Sequence, residues 1–179
     1  MKTKLIMSAA LVCAIGLALE ASVARPAIAA MELGLDAKYA GLWPNDPLLL
    51  LGTTRGLYLD NYGAVFTTEL NLVAAPPRTP MTPAVPNKPD IDRMHAEKIN
   101  RVAALKTAMR GFLADTATSL DMVPADQQVV LAVTLARYPW EPTSKLPAHI
   151  VMQGRRSDLL QAKAAGPAAL DQAIRVQEY

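Results

Sequence analysis

The sequence predicts an α+β fold: an antiparallel sheet built from a hairpin and two later strands, with one long helix and short C-terminal helices packed on it. Three observations predict it. Apolar and polar residues alternate across a turn near Asp60 to Gly63. From Asp90 onward, apolar side chains recur at three- and four-residue steps for about 30 residues. Short β-branched segments then return at residues 128–138 and 148–153.

Before the fold comes a leader. Lys2 and Lys4 precede an apolar run from Leu5 to Leu19, and Glu20 ends it. Ala27-Ile28-Ala29 has the small-x-small form that signal peptidase accepts, so residues 1–29 are expected to be a cleaved secretory signal; Ser22-Val23-Ala24 is a second site of the same form. An apolar run of about 15 residues falls short of the roughly 20 that span a bilayer, so no transmembrane anchor is expected after processing. The protein is therefore expected in the periplasm or the medium.

Removing residues 1–29 takes away Lys2, Lys4, Arg25 and Glu20, and 18 basic and 16 acidic residues become 15 and 15. Such a neutral chain exerts no long-range pull on nucleic acid. The one cysteine, Cys13, lies in the leader, so the rest of the chain forms no disulfide and its stability must come from packing. With 51% hydrophobic residues, about 150 residues can supply one core.

Residues 30–47 read as an N-terminal extension, a loop or short helix, in which Leu33, Leu35 and Tyr39 keep no sustained period. The α+β domain is expected over 48–165. In its hairpin, Asp60-Asn61-Tyr62-Gly63 supplies turn chemistry, and Phe66, Leu70 and Leu72 share one face of the second strand while Val65, Thr67, Glu69 and Asn71 share the other. Prolines 77, 80, 83, 86 and 89 then recur every third residue, the period of polyproline II, which predicts a semi-rigid strap over 76–89. The strap could instead serve as a docking strip.

The long helix is expected to start at Asp90 or Asp92, either able to cap it, and to bury Met94, Val102, Leu105, Met109 and Phe112. Arg93, Glu97 and Arg101 are placed as a ladder on its solvent side. Residues 128–138 carry apolar groups on both faces, as an interior strand does. Ser157 is expected to cap the next helix, Gly166 to stop it, and 166–179 to be a further helix or tail beginning at Pro167.

The chemistry is sparse. His95 and His149 are the only histidines, and Asp90, Asp92, His95 and Glu97 lack zinc-helix spacing, so no metal, cofactor or catalytic residue is assigned. No Gly-x-Ser-x-Gly elbow or phosphate-cradling loop occurs. The densest polar cluster is Arg55, Tyr58, Asp60, Tyr62 and Glu69, the candidate binding residues. Arg55 and Glu69 are expected to pair across the strands.

Gly56-Leu57-Tyr58-Leu59-Asp60-Asn61-Tyr62-Gly63-Ala64-Val65-Phe66-Thr67-Thr68-Glu69 resembles a segment of exported bacterial proteins of unknown function, and Tyr138-Pro139-Trp140-Glu141 fits the same group. The resemblance implies bacterial export and brings no activity or cofactor with it. The expected function is that of a non-enzymatic envelope protein, a structural or protein-binding module whose partner is another envelope or secreted protein. Two alternatives stand beside it. One is a small exported hydrolase using Asp60, Glu69 or His149. The other is a carrier of an apolar ligand held between sheet and long helix, near Met94 and Met109.

Overall fold

The computed structural model describes residues 25–75 and 85–179. The first element, α1, is helical over 25–40, and its stripe of Ile28, Leu35 and Tyr39 is buried in the core. The expected loop or short helix at 30–47 is thus part of a longer helix that already runs through residues 25–29, which were assigned above to the signal. Strands β1 (Leu49–Leu50), β2 (Arg55–Leu59) and β3 (Gly63–Asn71) follow, then α2 (Lys88–Ser119), β4 (Gln128–Leu135), β5 (His149–Arg155), α3 (Arg156–Ala165), α4 (Pro167–Ala173) and β6 (Arg175–Glu178).

The α+β architecture is as the sequence predicts, with a six-stranded sheet in the order β1-β3-β4-β5-β6 and β2 also paired to β3. The antiparallel expectation needs one correction, because β3 and β4 run parallel, from Gly63↔Gln128 to Leu70↔Leu135. The cause is the 32-residue α2: a helix roughly 48 Å long carries the chain back past the whole sheet, so the next strand starts where β3 started. The other four pairings are antiparallel.

One face of the sheet carries the core. Phe66 and Leu70 of β3, Leu131 and Val133 of β4, and Ile150 and Met152 of β5 pack in one cluster with Val102, Leu105, Met109 and Leu113 of α2. Beside α2, Tyr39 of α1 meets Phe112 edge to face with centroids 5.4 Å apart. Asp115 of α2 binds Lys38 at 2.5 Å and Lys163 at 2.8 Å, tying three helices together. Partial burial raises that carboxyl, but the two lysines outweigh it and hold it below its usual range.

Helix α1 also closes the β2 edge, where unpaired strand amides would otherwise invite another chain. Glu32 accepts from the Gly56 amide at 2.7 Å, and Asp36 accepts from the Thr54 amide at 2.8 Å and its hydroxyl at 2.6 Å. Gly56 leaves room for this approach: a Cβ there would sit 2.7 Å from Ile28 Cγ2 and 2.6 Å from Phe66 Cε1.

Tyr39 makes this helix sensitive to alkali. Burial raises its phenol far above the ordinary value of 10.0; a hydrogen bond with Thr68 opposes the shift and the charge of Asp36 adds to it. Since the unfolded chain releases this proton first, the stability Tyr39 contributes is full below pH 10.0 and is lost as pH climbs beyond it. Denaturation midpoints followed from pH 8 to pH 11.5 should fall steeply in the parent and less steeply in Tyr39→Phe. Parallel profiles would refute the assignment.

Several local expectations change. Asn87, not Asp90 or Asp92, caps α2, its side chain accepting from the Asp90 amide at 2.9 Å, because Pro89 suits the first turn, where no amide is needed. Pro89 therefore belongs to the helix; residues 76–84 of the expected strap lie outside the described residues. Arg101 leaves the solvent ladder and is buried. Ser157 lies inside α3, whose cap position is Arg155. The C-terminal segment is a short helix followed by β6, which gains its strand form by pairing with β5. No helix among the described residues is long and apolar enough to cross a membrane.

Candidate functional site

The hairpin is held by its turn. Asn61 takes a φ of 63° and Gly63 one of 131°, and the Tyr62 amide donates to Leu59 O at 3.0 Å. The resulting register sets where the five candidate residues stand. Arg55 faces Thr67, so Glu69 lies one diagonal step away and no ion pair joins them. Both project from the face opposite the core. Tyr58 projects from the core face, where its hydroxyl donates to Gln127 Oε1 at 2.9 Å. Asp60 and Tyr62 stay exposed in the turn.

The structure thus brings Arg55 and Glu69 to one face and leaves the other three elsewhere. Asp60 and Glu69 stand at opposite ends of β3, roughly 20 Å apart at strand rise. Glu69 and His149 flank Thr134 on the outer face, two strand spacings or roughly 10 Å apart, and Thr134 Oγ1 lies 3.2 Å from His149 Nδ1. Met94 and Met109 are buried in the continuous core beneath the sheet.

No described helix covers that outer face. Register places Leu57, Val65, Val130, Gln153 and Arg175 in one row and Arg55, Thr67, Ala132, Val151 and Gln177 in the next. Leu57 and Leu59 are 44% and 45% exposed. An apolar strip therefore crosses the sheet, with Leu57 and Leu59 exposed, Val65, Ala132 and Val151 half-buried, and Val130 already buried among its neighbours. Arg55, Arg155 and Arg175 border it, all exposed, and none has an ion-pair partner among the described residues. Three unpaired arginines beside one glutamate make this face locally basic although the chain is almost neutral.

A second polar cluster sits on the core side. Lys98 Nζ meets Glu141 Oε1 at 2.6 Å and Oε2 at 2.7 Å, with both side chains 3% exposed. The Tyr138 amide donates to Glu141 at 2.9 Å, the Tyr138 ring lies 5.5 Å from the ammonium, and Trp140 stacks on it at 5.0 Å. One turn along α2, Arg101 binds Glu97 and Asp46, donates to Leu72 O at 2.7 Å and lies over the Trp43 ring. A shallow groove of about 550 Å³ opens there between Trp43, Arg93, Glu97 and Asn100. This cluster joins the segments before and after the strap to the helix, and its central pair is closed to substrate.

Sequence reasoning missed the pair, although a signal was present: Lys98 falls between Met94 and Val102 on the buried stripe. Among the described residues no three His, Asp or Glu side chains gather as a metal site requires. Comparison with protein-family models, curated proteins and solved structures finds no match to this chain.

Proposed function

We propose that this protein is an exported, non-catalytic module of the bacterial envelope that binds another protein through the outer face of its sheet. The observation that carries the reading is the apolar strip from Leu57 to Val151 bordered by unpaired Arg55, Arg155 and Arg175. A partner fitting it presents an apolar ridge flanked by carboxylates, which desolvates the strip and gives the arginines their missing counter-charges. The face is roughly 25 Å on each side, or roughly 600 Å², close to the roughly 800 Å² each partner gives to a stable interface. Binding is favoured over hydrolysis because Asp60, Glu69 and His149 share no cleft. Export rests on Lys2, Lys4, the apolar run after them and the small-x-small sites.

A photoreactive residue at Val65, with Ala103 on the exposed side of α2 as control, tests this in the producing cell. Val65 is expected to give one defined adduct that Ala103 does not, with a yield falling roughly tenfold in Arg55→Glu/Arg175→Glu. Adducts common to both positions, an adduct indifferent to charge reversal, or no Val65 adduct would each sink the proposal.

A further inference from the structure

We infer that the exported chain is cut after Ala24 rather than after Ala29, so that Arg25 to Ala29 remain as the opening of the N-terminal helix. The inference rests on the export reading above and adds to it the position of the scissile bond. Both Ser22-Val23-Ala24 and Ala27-Ile28-Ala29 offer small residues at the two positions a signal peptidase reads, so sequence alone leaves two bonds five residues apart.

The fold distinguishes them. Residues 25–29 are already helical, and Ile28 is 2% exposed. Its Cγ2 occupies the place where a side chain at position 56 would lie, against the Phe66 ring. Ala27 packs on the same core from the turn beside it. A chain beginning at Ala30 lacks Ile28 and leaves an apolar gap over Gly56 and Phe66, on a domain without disulfides to offset it. Gly56 has value only if something fills the space it leaves, and that something is Ile28.

In the reaction, water adds across the Ala24–Arg25 peptide bond. Ala24 leaves with the new carboxylate on the signal fragment, and Arg25 keeps the new amino terminus.

Intact mass of the protein recovered from the envelope of a producing bacterium reads the bond directly. A chain starting at Arg25 is expected. One starting at Ala30 overturns the inference while leaving export in place, whereas a chain retaining residues 1–24 overturns both. Ala29→Leu places a large residue at the position next to the alternative bond. Processing at Arg25 is expected to continue in that variant, and its loss would count against the inference. Recombinant chains starting at Arg25 and at Ala30 should differ in Tm, the shorter melting roughly 5 °C or more below the longer. Equal Tm values would show that residues 25–29 are dispensable and overturn the structural ground for the inference.

Discussion

Gly63→Ala is expected to destabilise the domain by about 4 kcal/mol or more, the range reached only when several mechanisms act at one position. A Cβ at residue 63 would lie 1.9 Å from the Gln128 carbonyl oxygen and 2.8 Å from that residue's C and N atoms. These are backbone atoms, so no side chain can swing aside. The φ of 131° is itself costly for any residue with a Cβ. The contact also cannot be relieved by separation, because the Gln128 amide donates to Tyr62 O at 2.7 Å and fixes the start of β4 against the turn. In urea the midpoint should fall by about 2 M at a slope of about 2 kcal/mol/M. Gly111→Ala is the control. Nothing lies within 4 Å of its added Cβ and the site is inside α2, so this variant should gain about 0.5–1 kcal/mol. A Gly63→Ala midpoint within about 0.3 M of the parent would contradict the close approach.

Breaking the Lys98–Glu141 pair is expected to have the second largest effect. Lys98→Met or Glu141→Gln alone should lose about 3–5 kcal/mol, since each strands a buried partner, while Lys98→Met/Glu141→Leu should return close to the parent. Burial lowers the Lys98 pKa, and the hydrogen bond and charge of Glu141 work against that shift. With the folded value below the ordinary 10.5, the unfolded chain binds more protons between the two, and stability from this group rises with pH there. Removing the Glu141 charge deepens the shift and widens the window. The loss in Glu141→Gln should therefore be smaller at pH 9.5 than at pH 7, as read from paired urea curves. A pH-independent loss, or two single-variant losses that simply add in the double variant, would argue that the pair is not coupled as its geometry requires.

The parts of the fold legible in the sequence were those with a local period. Phe66, Leu70 and Leu72 announced β3, and the stripe from Met94 to Met109 announced α2. Helix α1 was obscured by the expected cut at Ala29, which removes Ile28, the first term of the series Ile28, Leu35, Tyr39; what remains is too short to show a period. Arg101 was read as solvated because charge outweighs phase in such a reading, and Lys98 was passed over, yet each has a distant carboxylate, Asp46 or Glu141, that no local pattern reveals. Strand β6 has no signature of its own and exists because β5 offers an edge. Of the candidate site, the turn and the residues bearing on it were legible. The outer face was not, since it is assembled from five strands whose order depends on a parallel pairing.

That parallel pairing also divides the molecule by time. Strands β1 to β3 pair within about twenty residues of one another, and β4 to β6 within about fifty, but β3 and β4 meet only after α2 has spanned the gap between Asn71 and Gln128. Closing so long a loop costs entropy before any ladder bond returns it. The two halves of the chain are thus free to gain local order early and must wait for one another at a single seam. Until that seam closes, each half exposes a long apolar strand edge, β3 on one side and β4 on the other. The interval in which a newly made chain is prone to aggregate is set by this one encounter.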